Sequence, residues 1–333
     1  MPFRPSVNTI LAIQGVNFRF VEHPAAPGIP YGQTGRRGKV FCIQNEAGQF
    51  FALKMFFHEF RSQQVERSAV NLSRFAQLPG LSVCARTVLT PQSDAALIQQ
   101  NPDLLYSVLM PWVVGKTWYE VIFERLAFTP RQSYTFAHEF VRALAALEQG
   151  GAAHCDISSG NVMLPGLLGK QPPVALVDVE EMFAPGFEQP AKLPAGTPGY
   201  NHKTASAGLW SREADRFAGA VLLAELLGWC DPFVRQSALG GAVQPGEQYF
   251  DPAEVQQPCQ RYDALFQSLK NNWGENLADL FRRAWQSDTL PDCPPFAEWQ
   301  AAIAPLQQHA SQLAVCRRSK HINNRESNVM PNG

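Results

Sequence analysis

Three side chains in the middle of the chain combine oxygen ligands in a way that suits phosphate chemistry. Asp156 is followed in the same short stretch by Asn161, and a second apolar run, residues 174–177, leads directly into Asp178. Two carboxylates and an amide on neighbouring strand-like segments can hold a divalent cation and orient a hydroxyl group. Phosphoryl transfer from a nucleotide requires both, so the chemistry of the chain is expected to centre on these residues.

Composition limits the classes of function. The chain has 333 residues, 45% hydrophobic and 17% charged, with a formal net charge of −1. This balance indicates a globular protein with a sizeable core, and it gives no electrostatic support for a nucleic-acid groove. No apolar run approaches the about 18 residues of a membrane span, and the first residues lack the hydrophobic segment of a signal peptide. The seven cysteines include no CxxC pair, which favours reduced thiols in the cytoplasm over disulfides or a zinc site.

A glycine-containing segment precedes a predicted β-hairpin. Gly35 and Gly38 lead into an apolar run from Val40, a turn at residues 45–48, and a second run that reaches Lys54. Glycines let backbone N–H groups approach phosphate oxygens, although the same glycines also fit an ordinary turn between strands. Lys54 is either a phosphate-binding lysine or a lysine at a strand end whose ammonium reaches water.

A helix is predicted next, over about residues 59–75. Glu66 lies near its middle beside apolar residues and is the preferred partner of Lys54, with Glu59 as the alternative. Residues 104–115 then predict a strand that runs into a link ending in glycine.

The rest of the chain predicts helices. Thr129 is suited to cap a helix that starts at Pro130, and Gly150 to end it. Later segments with helical spacing are residues 211–228, 277–285 and 294–299. Asp215 lies near the start of the first of these and fits the position of a helix cap.

Taken in order, these segments resemble the parts of a protein kinase domain. Residues 154–161 are similar to the kinase HxDxxxxN catalytic loop, and Asp178 to the aspartate of the DFG triplet. Residues 196–200, Gly-Thr-Pro-Gly-Tyr, resemble the GTPxY element that closes the activation segment. The resemblance covers about residues 30–305. It implies an α+β, bilobal fold with a small antiparallel β-sheet lobe that carries one helix and a larger, mainly helical lobe.

The resemblance also implies a domain organisation. Residues 1–30 would be an N-terminal extension with the first strand, 31–112 the small lobe and 113–310 the large lobe. Residues 311–333 are polar and are expected to be disordered, with a possible further domain or partner after them.

Each candidate residue receives a role from the same resemblance. Asp156 would orient the substrate hydroxyl, while Lys54, supported by Glu66, would position the phosphates. Asn161 and Asp178 would bind Mg²⁺. ATP would be held mainly by small-lobe residues, with Met110 as gatekeeper and Met163 covering one face of the adenine: Gly35, Gly38, Val40, Ala52, Lys54, Met110, Trp112, Val113 and Met163. Asp215 would bond to the backbone of the catalytic loop.

Several positions depart from the kinase pattern. Cys155 replaces the arginine that docks a phosphorylated activation loop, and Ser158 replaces a lysine that contacts the γ-phosphate. Val179 and Glu180 replace the Phe and Gly of the DFG triplet. His-Lys-Thr at residues 202–204 replaces Ala-Pro-Glu, and the arginine that would pair with that glutamate is missing too. Losing both partners avoids leaving one buried charge unpaired.

The expected function is therefore an ATP- and Mg²⁺-dependent Ser/Thr protein kinase in the cytoplasm, acting on a protein substrate and not on nucleic acid or membranes. One alternative is a pseudokinase that binds nucleotide and partners without transfer, as Cys155, Ser158 and Glu180 suggest. A second is a small-molecule kinase of the aminoglycoside or choline type, which shares the catalytic core. Residues 196–200 and the helix of Asp215 favour a protein substrate over that second alternative.

Overall fold

The computed structural model describes residues 3–238 and 248–313. The predicted polar tail, residues 311–333, lies outside this part of the chain from residue 314 onward. The chain divides into two compact units, with the division after Val114. The fold class is α+β, because an antiparallel sheet dominates the first unit and helices dominate the second.

The first unit is built on a curled antiparallel sheet. Its strands are β1 (Ile10–Ile13), β2 (Val16–Phe20), β5 (Gly32–Thr34), β6 (Gly38–Asn45), β7 (Phe50–Phe56), β8 (Thr87–Val88) and β9 (Val108–Pro111). Within the described residues the strand order is β1-β2-β6-β7-β9-β8, and β5 pairs with β6. A separate pair is formed by β3 (Glu22–His23) and β4 (Ala26–Pro30). The predicted hairpin is confirmed as β6 and β7.

One face of this sheet carries the core of the first unit. Leu53 and Met55 of β7 and Ile43 of β6 are buried in a hydrophobic cluster with residues from β1 and β2. Alternate residues of a strand point to opposite faces, so the residues between them on β7 point to the other side of the sheet. The sheet therefore separates an apolar core from a second face.

The helix predicted over residues 59–75 is shorter than expected. It is α1 (Gln64–Ser73), followed later by a short helix that was not predicted, α2 (Ala95–Gln100). Glu59 lies in a 3₁₀ turn before α1, and Glu66 lies in the first turn of α1 instead of its middle. Arg61 is extended and forms a 2.8 Å ion pair with Asp103, so a tertiary contact holds this stretch out of the helix.

The second unit is mainly helical. Its helices are α3 (Trp118–Phe123), α4 (Pro130–Gln149), α5 (Arg216–Gly228), α6 (Pro232–Ser237), α7 (Gln260–Trp273), α8 (Glu275–Trp285) and α9 (Phe296–Ile303). A small antiparallel sheet has the order β10 (Lys116–Thr117), β11 (Val162–Leu164) and β12 (Ala175–Leu176). The predicted helices at residues 277–285 and 294–299 correspond to α8 and α9.

Local sequence decides where α4 begins, and burial decides the place of α5. Thr129 and Gln132 form a capping box in which each side chain accepts the other's backbone N–H, and Pro130 occupies the first turn. The predicted start is thus confirmed.

Every residue of α5 from Phe217 to Gly228 is buried, and a helix that is apolar all round belongs in a core. The helices α4, α7 and α8 pack against it.

Two further expectations concern membranes and thiols. In the part of the chain that the structure describes, no helix has both the length and the hydropathy to cross a bilayer. The six cysteines among these residues are all free thiols. The prediction of unpaired thiols is confirmed for these six.

The two glycines before the hairpin provide a matched test of the sheet. A Cβ at Gly38 would collide with the carbonyl oxygen of Met55 and lie 2.9 Å from Cα of Phe56. Among the described residues, the nearest atom to a Cβ at Gly35 is the oxygen of Gly38, at 3.9 Å.

We expect Gly38→Ala to lower the free energy of unfolding by about 1–3 kcal/mol, because β6 cannot move without disturbing its pairing with β7. Gly35→Ala should change it by less than about 1 kcal/mol, since the position is open. Urea denaturation of both variants measures the difference. Equal losses in the two variants would contradict the prediction.

Candidate functional site

A buried carboxylate fixes the loop that carries Asp156. Asp215, directly before α5, accepts hydrogen bonds from the backbone N–H groups of His154 (2.5 Å) and Cys155 (2.8 Å). Burial raises the pKa of Asp215, while His154 and the two backbone hydrogen bonds oppose that rise. Within the described chain its side chain does not cap α5. The predicted bond to the loop backbone is therefore confirmed, and the helix-cap alternative is wrong.

The loop backbone is strained at this point. Cys155 has a φ of 64° and Asp178 a φ of 60°, in the left-handed region that costs non-glycine residues about 1–2 kcal/mol. The ring Nε2 of His154 lies 2.9 Å from the carbonyl oxygen of Val177 and links the two strained places. Such strain persists only where surrounding contacts impose it, and it is concentrated at functional sites.

The carboxylate of Asp156 is oriented from two directions. The Nδ2 of Asn161 donates to the backbone oxygen of Asp156 at 2.8 Å and to Oδ2 of Asp156 at 3.3 Å. The hydroxyl of Thr197 donates to Oδ1 at 2.9 Å. Asp156 is half-buried. A carboxylate held in this way can orient the hydroxyl of a substrate and accept its proton.

Thr197 is a candidate that the sequence analysis did not single out. It lies in the Gly-Thr-Pro-Gly-Tyr stretch, which was noted as an element and not for the role of its hydroxyl. Asp156 is far away in the chain, and no spacing rule connects the two. The one signal in the sequence was a hydroxyl side chain placed between the turn-forming residues Gly196 and Pro198. Only the fold shows that this hydroxyl contacts Asp156.

Asn161 and Asp178 lie at the ends of paired strands. Asn161 directly precedes β11, and its backbone oxygen accepts from the N–H of Val177 at 3.0 Å, so Asp178 follows the residue opposite Asn161. Because Nδ2 of Asn161 is used by Asp156, the amide presents Oδ1 as an oxygen ligand. Asp178 is exposed.

This donor set fits Mg²⁺. The ion prefers oxygen ligands, keeps several waters, and is usually bound by one or two carboxylates together with substrate phosphates. Across residues 3–238 and 248–313, no group of three or more His, Cys, Asp or Glu side chains is placed to hold a metal ion. Binding of Mg²⁺ by Asn161 and Asp178 stays a prediction.

In the first unit, four of the predicted ATP-binding residues share one face of the sheet. Val40 pairs with Lys54, and Ala52 pairs with Met110, across antiparallel strands. Opposite residues in such pairs point to the same side, which here is the side away from the hydrophobic cluster. Lys54 is 7% exposed, and its ammonium lies 5.7 Å from the ring centroid of Phe56. A lysine that simply reaches water would be more exposed.

The expected partner of Lys54 is not settled by the structure. Glu66 is half-buried in the first turn of α1, and Glu59 is exposed in the preceding turn. The pairing stays a prediction.

The two glycines have different local roles. The N–H of Gly35 donates to the oxygen of Gly38 at 2.8 Å, so this amide is used inside the turn. Gly38 lacks a Cβ where the backbone of Met55 approaches. These contacts favour the ordinary-turn alternative for both glycines, and their contact with phosphate stays a prediction.

The remaining predicted ATP contacts lie at the end of β9 and in β11. Trp112 and Val113 are half-buried. Met163 is half-buried between Val162 and Leu164, which are both fully buried. Met163 therefore faces the opposite side of the small sheet from the core of the second unit.

Comparisons with known proteins do not assign the chain to a family. No model of a protein family matches it, and no curated protein gives a significant match. The functional argument therefore depends on the residues and contacts themselves.

A second buried carboxyl group supports the Gly-Thr-Pro-Gly-Tyr stretch. Glu225 of α5 accepts from the indole N–H of Trp118 at 2.6 Å and from the hydroxyl of Tyr200 at 3.2 Å. Burial raises the pKa of Glu225 to about 8, although these two hydrogen bonds lower it. The uncharged form of Glu225 is thus the favoured one near neutral pH.

Glu225 should make the protein less stable as pH rises. Its pKa in the folded state is raised from the ordinary value of 4.5 to about 8. The contribution of Glu225 to the free energy of unfolding is therefore fully present below pH 4.5 and is lost as pH rises towards about 8. Glu225→Gln keeps the shape without the charge and should remove this part of the dependence. Urea unfolding between about pH 5 and pH 8.5 measures it.

The exposed Glu275 is the matched control, and Glu275→Gln should retain the wild-type dependence on pH. If Glu225→Gln also retains the wild-type dependence on pH, the prediction that Glu225 is neutral in the folded state is wrong.

Proposed function

We propose that this chain is a divergent protein kinase that transfers the γ-phosphate of ATP to Ser or Thr hydroxyls of a protein, with Mg²⁺. The observation that carries the proposal is the environment of Asp156, whose carboxylate is oriented by Asn161 and Thr197. An aspartate and an asparagine in this order serve the substrate hydroxyl and the metal in protein kinases. In this proposal the first unit is the small lobe of a bilobal kinase fold, and the second is the large lobe.

The residues divide the work of phosphoryl transfer. Asp156 orients the substrate oxygen towards the phosphorus atom and receives its proton. Asn161 and Asp178 hold the metal, and Lys54 contacts the phosphates. Bound MgATP supplies the phosphoryl group and the cation that neutralises its charge. Thr197 holds Oδ1 of Asp156 and Asn161 holds Oδ2, so the carboxylate keeps one orientation towards the substrate.

The departures from the kinase pattern suggest how such an enzyme would behave. Cys155 is 1% exposed, and burial raises the pKa of its thiol, so the position carries no charge to receive a phosphorylated loop. Activity without loop phosphorylation follows. Ser158 is 4% exposed and uncharged, so the lysine contact to the γ-phosphate is lost and transfer should be slow.

The same departures support the pseudokinase as the second candidate. Ser158 is buried and cannot take over a phosphate contact, and Val179 is also buried where a kinase carries the Phe of the DFG triplet. A pseudokinase would bind nucleotide without transferring phosphate. The small-molecule kinase has less support, because Tyr200 is fixed by Glu225 in the element that serves protein substrates.

Asp156→Ala should lower the rate of γ-phosphate transfer by about 10²–10⁴-fold, because the group that orients the hydroxyl and accepts its proton is lost. The measurement is transfer of labelled phosphate from ATP to a generic protein substrate. Asp279→Ala, which removes a surface ion pair of α8, is the control and should act like wild type.

Equal transfer by wild type and Asp156→Ala would contradict the proposal. Thermal stabilisation by nucleotide without any transfer would favour the pseudokinase. Label on an aminoglycoside or choline, with none on protein, would favour the small-molecule kinase.

Thr197 should act on turnover through its hydroxyl. Thr197→Val keeps the shape but loses the donor to Asp156, and we expect kcat to fall about 10–100-fold, with little change in KM for ATP. Thr197→Ser keeps the donor and should retain most of the rate. Equal losses in the two variants would contradict the role given to the hydroxyl of Thr197.

A further inference from the structure

The position of the missing Ala-Pro-Glu triplet is occupied by a buried histidine with a full set of contacts. His202 is 3% exposed. Its Nε2 lies 3.1 Å from Oγ of Ser287, and its Nδ1 lies 2.7 Å from Oγ1 of Thr204. The ring meets the edge of Phe217 of α5, with centroids 5.3 Å apart. The histidine is thus held on three sides within the second unit.

The partners define which nitrogen carries the proton. The backbone N–H of Thr204 donates to Nδ1 at 3.2 Å, so Nδ1 is an acceptor. The hydrogen is therefore on Nε2, which donates to Ser287. The hydroxyl of Ser287 donates onward to the oxygen of Ala284 at 2.7 Å. A neutral imidazole satisfies every one of these bonds.

A serine beside a histidine can form a nucleophile and base pair, but this pair does not suit that use. Ser287 is 5% exposed, and its hydrogen is directed to a backbone oxygen instead of to the imidazole. The Sγ of Cys293, 3.1 Å from the Ser287 hydroxyl, is also buried. The contacts are those of a structural network.

The network joins two segments that kinases join by an ion pair. Ser287 and Cys293 lie in the connection between α8 and α9, where the sequence lacks the expected arginine. His202 lies just after the stretch that contains Thr197, and both residues line the same small cavity with Asp215. Fixing His202 therefore limits the movement of the segment that places Thr197 against Asp156.

We propose that His202 is a positioning residue, an uncharged latch that holds residues 196–205 against the α8–α9 connection, and that protonation of its imidazole opens the latch. The effect on catalysis depends on the proposed kinase function, whereas the latch itself does not.

Protonation would act through Nδ1. A second proton there would face the backbone N–H of Thr204 and abolish that hydrogen bond. The charged groups near the ring are Lys203 on its own segment and Asp288 and Asp292 on the α8–α9 connection, with the thiol of Cys293 beyond Ser287.

Burial lowers the pKa of His202, and Lys203 lowers it further, while the backbone oxygen of Ser287, Asp288 and Asp292 oppose this. A histidine whose pKa is lowered on folding stabilises the folded state at pH values above 6.5, the ordinary pKa of histidine. That contribution is lost as pH falls through the pKa of the folded state. The latch is therefore closed at neutral pH and opens as pH falls below 6.5 through the lowered pKa of His202.

The test follows amide hydrogen exchange in residues 196–208 of the full chain, as protection factors, over a pH series from about 7 down to about 4.5. We expect protection in wild type to fall about tenfold in acid, the effect of one lost hydrogen bond. His202→Gln keeps a donor but cannot titrate in this range, so its protection should be independent of pH. His138→Gln, which removes a half-buried histidine of α4, should behave like wild type.

Ser287→Ala provides a second variant in which the histidine is retained. It removes the hydroxyl acceptor and leaves only the backbone oxygen of Ser287, 3.3 Å from Nε2, so protection of the same segment should be lower than in wild type at neutral pH. Equal acid loss in wild type and His202→Gln, or wild-type protection in Ser287→Ala, would overturn the latch.

The phosphate-transfer assay separates the latch from the proposed function. If both hold, His202→Gln should lose the acid-side decline of transfer that wild type shows. Protection that depends on pH in the absence of any phosphate transfer would remove the kinase function and keep the latch.

Discussion

The hydrogen bonds from the loop backbone to the carboxylate of Asp215 are the contact on which the candidate site depends. A buried carboxylate is costly unless donors satisfy it, and here the N–H groups of His154 and Cys155 do so. Those bonds require the left-handed backbone of Cys155, which in turn sets the direction in which Asp156 leaves the loop. Removing the carboxylate would leave two buried N–H groups without an acceptor and release the strain at Cys155. The position of Asp156 is thus determined by a residue that is itself 2% exposed.

A single helix transmits this constraint to two segments. Asp215 directly precedes α5 and holds the loop of Asp156, while Glu225, further along α5, holds Tyr200. Tyr200 belongs to the stretch that contains Thr197. The carboxylate of Asp156 and the hydroxyl of Thr197, which form a hydrogen bond, therefore both lie in segments that are held by the same helix. Because α5 is buried on all sides, it cannot shift without disturbing the packing of α4, α7 and α8. The rigidity of the site follows from that burial.

Local signals in the sequence were sufficient where structure is decided locally. Thr129 as the cap and Pro130 at the first position predict the start of α4 to the residue, and two apolar runs joined by a turn predict the β6–β7 hairpin. The sequence failed where a distant contact decides, because no periodicity reports it. Arg61 leaves the helical pattern since it pairs with Asp103, and that moves Glu66 into the first turn of α1. The Thr197–Asp156 bond was invisible for the same reason, although both residues lay in segments already singled out.

The departures from the kinase pattern in the second unit have one feature in common: charged contacts are replaced by uncharged ones. Cys155 lies in an apolar cluster with Ala205 and Leu209, and both of these belong to the segment that follows Thr197. The loop and the segment are therefore joined by apolar contact, where kinases join them through an arginine and a phosphate. The His202–Ser287 hydrogen bond replaces a second charged pair in the same way. Contacts of this kind form on folding and need no modification to complete them. The reversible change that we propose for this segment is a proton on the buried imidazole of His202.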